Sequence, residues 1–189
     1  MHGKLPILRN KLLAQMEYEL RSCTEQQLPE IQDIFNEAIL FSTALYDYQP
    51  RTIEVMVKWY EEKRNGNYPV VGLFDHENTL LGFASYGSFR ARPAYKYTIE
   101  HSVYVRSDKR GLWIGTILLK EIIKVAEVND FHVLIGGIDA SNLASIKLHE
   151  KEGFEFCGLI KQSGYKFGKW LDLAFYQLIL KTPEFPEEG

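Results

Sequence analysis

The sequence predicts a single mixed α/β domain, with one central sheet of about seven strands and helices on both faces. Three observations carry this. Apolar residues alternate with period two in some stretches and recur at three and four in others, giving the order β-α-α-β-β-β-α-β-α-β-β. A chain of 189 residues suits one sizeable core. No internal repeat, low-complexity stretch or second core divides it.

Residues 1–16 are predicted as an N-terminal extension. They carry Lys4, Arg9 and Lys11 but no apolar core like that of a signal peptide, and Met16 is an alternative start. The domain is expected over 17–181. Tyr18 to Arg21 reads as a short strand. Thr24 and Gln27 have capping-box spacing ahead of a helix whose stripe is Leu28, Ile31, Ile34, Phe35, Ala38 and Ile39. Thr52 is placed to cap a second helix with Val55, Met56, Trp59 and Tyr60, ended by Asn65-Gly66-Asn67. Val70–Phe74 and Leu80–Phe89 form a hairpin across the turn Asp75–Asn78. After the polar connection Arg90–Lys96, a strand over Tyr97–Val105 places Ile99, His101 and Val103 on one face and Glu100, Ser102 and Tyr104 on the other.

A turn at Arg106–Arg110 leads into a helix from about Leu112 to Val128. Phe131–Ile138 is an apolar strand. Asn142 is set to cap a short helix, Ala144–Glu152, stopped by Gly153. Phe154–Lys161 and Leu171–Leu180 read as closing strands, and 182–189, rich in proline and glutamate, as a tail.

A hydrophobic content of 46% and a charged content of 25% are those of an ordinary globular protein. Net charge is −3 without a block of one sign, which argues against nucleic-acid binding through bulk charge. No apolar run reaches the roughly 18 residues of a membrane span. Cys23 and Cys157 fit buried thiols in a reduced, cytoplasmic setting. The histidines are dispersed, without zinc spacing, so no metal is expected. Gly164 and Gly168 before Lys169 are too close together for a phosphate-binding P-loop.

The chemistry concentrates after the central strand. A strand that turns into a helix N-terminus leaves backbone N–H groups unpaired, and with the helix dipole these make an anion site. Arg110 adds positive charge there, and Gly111 and Gly115 permit close backbone approach. On this physics alone, a ligand site and a tight turn without a ligand fit equally well.

The segment Arg110-Gly111-Leu112-Trp113-Ile114-Gly115 resembles the acetyl-CoA signature of the GNAT superfamily of N-acetyltransferases. Asn142 through Phe154 resembles that superfamily's later motif, and the two motifs lie on the right elements at the right separation. Arg90–Tyr95, Thr98–Val105 and Gly164–Asp172 with Gln177 are similar to the phosphinothricin and methionine sulfoximine acetyltransferase branch. The resemblance spans roughly Tyr18 to Leu180 and implies a GNAT-type domain with a mixed, mostly antiparallel sheet. It departs at Trp113, where the family has glycine. Indole lacks glycine's freedom at positive φ, so either this residue keeps helical dihedrals with its ring turned away or the loop is altered.

The resemblance implies acetyl-CoA as cosubstrate, held by Val103, Tyr104 and Val105 along the strand, by Arg110 to Thr116 (Leu112, Trp113 and Ile114 included), and by Asn142 and Ser145. It implies Glu100 as general base, the alternative being a surface or salt-bridged strand carboxylate. His149 stands where many members carry the tyrosine that protonates the leaving thiolate, the alternative being a packing histidine. Asn142 and Ser145 are also explained by helix capping alone. Arg90 and Arg92 suit a substrate carboxylate, which guanidinium binds in two-pronged fashion, though each also fits a solvated loop. Phe41 and Thr43 are expected at the acceptor pocket, together with Glu100.

The expected activity is therefore acetylation of the α-amine of a small amino-acid-like substrate, by a homodimer acting without nucleic acid or membrane. In the branch, the stretch with Lys166, Lys169 and Trp170 shapes the site and the dimer. A GNAT enzyme acting on a polyamine, an aminoglycoside or a protein N-terminus, and a non-catalytic acyl-CoA sensor, are the alternatives.

Overall fold

The computed structural model describes residues 18–188, so the extension expected over 1–16 lies outside the described residues. Seven strands form one sheet in the order β1-β2-β3-β4-β5-β7-β6. They are β1 (Glu19–Ser22), β2 (Val70–Phe74), β3 (Leu80–Ser88), β4 (Thr98–Val105), β5 (Val133–Asp139), β6 (Glu155–Lys166) and β7 (Lys169–Ile179). The helices are α1 (Leu28–Phe41), α2 (Ile53–Asn65), α3 (Ile114–Val128) and α4 (Leu143–Lys151). All pairings are antiparallel except β4 with β5. The predicted element order and the one-domain α/β fold class both hold.

Two apolar layers sandwich the sheet. On one face, α1 and α2 bring Ile31, Ile34, Phe35 and Met56 onto Phe74, Leu80 and Phe83. On the other, Leu118, Leu119, Ile122 and Ala126 of α3 pack on Ala84, Tyr86, Ile99 and Leu134. The alternation read along β4 sets this division. Ile99 and His101 are buried, while Tyr104 packs edge-on against Phe35 beneath α1.

The capping box at Thr24 and Gln27 forms, around a short 3-10 turn that precedes α1. Thr52 occupies the N-cap position of α2 without a side-chain capping bond. Helix α3 starts at Ile114, two residues later than expected, because Trp113 is left-handed. Strand β6 runs to Lys166, beyond the expected Lys161, and a two-residue turn of Phe167 (φ 51°) and Gly168 (φ 74°) joins it to β7. Gly164 and two register shifts hid this extent from the sequence pattern. Because β6 is an edge strand, Cys157 is exposed, contrary to the expected buried thiol, whereas Cys23 is buried.

The feature that matters for function lies at the parallel pair. β4 pairs with β3 from Ile99 through Val105, but with β5 only over Thr98–Glu100 opposite Val133–Ile135. Beyond Glu100 the two strands separate, leaving the β5-facing edge of β4 outside that ladder.

Leu118 is fully buried between α3 and the sheet. Leu118→Ala is expected to lower unfolding stability by about 2–5 kcal/mol in urea titrations followed by circular dichroism. A loss below about 1 kcal/mol would mean that α3 is not anchored on the sheet through Leu118.

Candidate active site

Beside the end of β4 that β5 leaves unpaired lies a cavity of about 490 Å³, a size suited to a cofactor. Val103, Tyr104 and Val105 form one wall, and Arg110, Gly111, Trp113, Ile114, Gly115 and Thr116 curve around one end. Asn142, Ser145 and His149 of α4 and its cap line the opposite wall. Of the residues expected at the cofactor, only Leu112 stands outside this lining. The sequence reading missed Ser42, Ala44, Lys109 and Leu148, which also line it. Lys109 brings a second positive charge beside Arg110.

The loop is built for close backbone approach. Gly111 has φ 80° with nothing near its missing side chain. The amides of Ile114, Gly115 and Thr116 begin α3 and have no i−4 carbonyl inside it. Trp113 does not keep helical dihedrals: it takes the left-handed conformation that glycine adopts most readily, φ 66° and ψ 1°. The left-handed region costs a residue with a Cβ about 1–2 kcal/mol. Its ring lies under Lys151, whose Nζ is 4.6 Å from the ring centroid, a cation–π contact that offsets part of this.

Asn142 fulfils its capping role, its side-chain oxygen accepting from the Ser145 amide at 3.2 Å. His149 is 5% exposed. Its Nδ1 donates to the Ser145 carbonyl at 2.7 Å, and its Nε2 lies 3.0 Å from Nε2 of His101. With Nδ1 the donor, Nε2 of His149 accepts and His101 donates. Burial, reinforced by His149, pushes His101 down to about 3, and burial lowers His149 as well. Both rings are thus neutral near pH 7. Gly136 makes room for them: a Cβ there would sit 3.1 Å from His101 and 3.4 Å from His149.

Glu100 points to the other face, toward α1 and α2. Burial raises its pKa and the Arg90 charge opposes the rise. Its Oε1 lies 3.0 Å from where a Cβ on Gly137 would be, with Leu173 at 3.6 Å and Phe175 at 3.8 Å from the same point. Gly137 itself is exposed. The bare backbone of Gly137 is therefore the floor of a cleft walled by Glu100, Leu173 and Phe175.

Arg90 and Arg92 are exposed and, with Lys96 and Tyr68, line a separate cavity of about 320 Å³. Arg90 still acts on Glu100 electrostatically; Arg92 makes no such contact. Phe41 does not line a pocket as expected: at the end of α1 its side chain is 80% exposed, and Ser42 and Ala44 line the cavity in its place. Thr43 is partly exposed and outside the lining.

The segment between α1 and α2 is held over the Glu100 face by β6. Lys166, 4% exposed, donates to the carbonyls of Ser42 at 2.9 Å and Leu45 at 2.6 Å. Tyr48 donates to the Tyr165 carbonyl at 2.7 Å. The ring of Tyr46 lies 2.7 Å from the position a Cβ would take on Gly164. Among the described residues, no group of three or more His, Cys, Asp and Glu converges as a metal site.

Residues 20–175 match the family model described as acetyltransferase (GNAT) domain. The L-methionine sulfoximine/L-methionine sulfone acetyltransferase of Pseudomonas aeruginosa is 39% identical over 165 residues, 87% of this chain and 96% of that protein. A solved structure from Acinetobacter baylyi is 52% identical with a TM-score of 0.91, covering 93% of this chain and 99% of that one. The phosphinothricin acetyltransferase of Sinorhizobium meliloti, solved in complex with AcCoA, is 34% identical with a TM-score of 0.87, covering 92% of this chain and 95% of that one.

Gly137→Ala is expected to lower kcat/KM for the acceptor at least roughly tenfold while cofactor affinity stays within about twofold, because the added methyl crowds Glu100 alone. Steady-state kinetics and calorimetric binding separate the two; an equal loss in both would place the cleft elsewhere.

Proposed function

The chain belongs to the GNAT acetyltransferase family, and from that premise we propose that it transfers an acetyl group from acetyl-CoA to the α-amine of a small amino-acid-like acceptor. The observation that carries this reading is the placement of Glu100. It is the last residue of β4 paired with β5, at the point where the strands part, and its carboxylate stands over the exposed backbone of Gly137.

Acetyl-CoA supplies the thioester. Lys109, Arg110 and the amides of Ile114, Gly115 and Thr116 are placed to hold its pyrophosphate. The β4 edge from Val103 to Val105 is placed to pair with its pantetheine arm as an added strand. A β4 amide is placed to polarise the thioester oxygen. Glu100 takes the proton from the acceptor's ammonium, and the nearby Arg90 charge favours its ionised form. Arg90 also suits a carboxylate beside the amine, which favours amino acids over polycations. His149 has no free proton for the departing thiolate: its Nδ1–H is given to the Ser145 carbonyl and burial keeps the ring neutral. The attacking nitrogen sheds a proton as the amide forms, and we propose that this proton neutralises the thiolate.

The names of the relatives support the acceptor class: one acts on methionine sulfoximine and sulfone, another on phosphinothricin. The proposal extends to a homodimer, supported by exposed apolar side chains on the β6–β7 hairpin: Phe156, Ile160, Tyr165, Phe167 and Trp170. Light scattering should give twice the chain mass for the wild type and a monomer for Ile160→Asp; a wild-type monomer refutes the dimer.

A base must be ionised to act, and burial raises the Glu100 pKa. The acid limb of kcat/KM should therefore lie above the usual glutamate value of about 4.3, activity rising with pH through it. Glu100→Gln should lower kcat about 10²- to 10⁴-fold and abolish that limb. Full activity of this variant at neutral pH would remove Glu100 from the chemistry.

A further inference from the structure

The loop ahead of α3 carries an indole where its backbone favours glycine. Trp113 has φ 66° and ψ 1°, a conformation that strains a residue with a large side chain. Such strain persists only where surrounding contacts over-determine it, and it gathers at ligand sites. Here the residue lines the cavity and its ring carries Lys151, with Nζ 4.6 Å from the centroid.

Lys151 is the last residue of α4 and is exposed. The carboxylates flanking it are engaged elsewhere: Glu150 accepts from the Tyr176 hydroxyl at 3.4 Å, and Glu152 pairs with Lys120 at 3.7 Å. Among the described residues, no carboxylate pairs with Lys151. Its ammonium is thus an uncompensated charge standing on an aromatic plane. A cation placed in this way has less rotamer freedom left to lose on meeting an anion.

Helix α4 runs along the loop. Its Leu148 stands against Gly115, 3.3 Å from where a Cβ would sit. Lys151, three residues on and on the same side of the helix, stands against Trp113. An acyl-CoA with its thioester near Glu100 and its pyrophosphate on the loop carries its nucleoside at the loop end of the cavity. That is where Lys109, Arg110 and Trp113 gather.

We infer that Trp113 and Lys151 recognise the 3′-phosphoadenosine end of the cofactor, the indole stacking on adenine and the ammonium pairing with the 3′-phosphate. Every base has a flat face that stacks on aromatic side chains, and lysine meets phosphate as a compact charge. The consequence is selection of the acyl donor. An acyl group on 4′-phosphopantetheine shares the arm and the thioester but ends before the nucleoside, so it forgoes both contacts. The pair therefore favours free CoA thioesters over acyl groups held on a phosphopantetheine arm.

The inference rests on the acyl-CoA reading of the cavity, and binding measured without an acceptor tests it separately from turnover. Calorimetry on the full chain compares CoA, dephospho-CoA (which lacks the 3′-phosphate) and 4′-phosphopantetheine. Wild type should bind CoA at least about fivefold more tightly than dephospho-CoA. It should bind dephospho-CoA at least about fivefold more tightly than phosphopantetheine. Lys151→Met should bring the first ratio to within about twofold of unity. Trp113→Gly relieves the backbone, so an indole that is merely tolerated predicts unchanged or tighter CoA binding. A stacking indole predicts that the second ratio falls to within about twofold of unity in Trp113→Gly and persists in Trp113→Phe, which keeps a ring. Either wild-type ratio near unity, or either ratio unchanged in Lys151→Met or Trp113→Gly respectively, overturns the inference and leaves the transferase reading standing. Selective CoA binding without acetylation of any amine sustains the recognition and sinks the transferase reading.

Discussion

The site depends on one limited pairing. β4 and β5 are parallel neighbours for three residues and then part. A continued ladder would have satisfied the β4 edge internally and closed the sheet. The separation instead leaves main-chain donors and acceptors at the centre of the fold, beside the cavity edged by the α3 N-terminus and α4. Backbone groups at such depth need partners, so the gap is intrinsically a place for an extended ligand. Glycines keep it usable: Gly136 admits the histidine pair on one face, and Gly137 leaves the floor beside Glu100 bare on the other.

The two faces have different electrostatic characters. On the cofactor side, positive charge comes from Lys109, Arg110 and the helix terminus, while His101 and His149 stay neutral. On the Glu100 face, carboxylates dominate: burial raises the Glu100 pKa, and Asp139 accepts from the Ser141 amide. Arg90 borders that side from the β3–β4 connection.

Much of the fold was legible because periodicity reports burial. Tyr97–Val105 alternated cleanly, and α1 and α3 carried unbroken stripes. The extent of β6 was not legible, since Gly164 and two register shifts interrupt the alternation along this edge strand. The wall of the larger cavity was legible for a related reason: Val103 to Thr116 is one contiguous stretch, so the loop and its neighbours could be read together. Trp113 was misjudged because side-chain preference was weighed without the turn. The geometry between β4 and α3 demands a left-handed residue, and tertiary packing against Lys151 tolerates indole there. The Glu100 face was less legible. Phe41 was placed at a pocket its side chain does not reach, and Tyr46, Asp139, Gly137 and Lys166 went unnoticed. They meet only through sheet order, from segments more than a hundred residues apart at the extremes.

The bond from Lys166 to the Ser42 and Leu45 carbonyls spans 124 and 121 positions of sequence. It ties the cavity to the end of the chain: Ser42 and Ala44 line it, and the segment that carries them has its anchor on the final hairpin. Closing so long a loop early carries an entropic cost with no compensating contact. During synthesis, that part of the cavity wall is thus fixed only when the last two strands have joined the sheet.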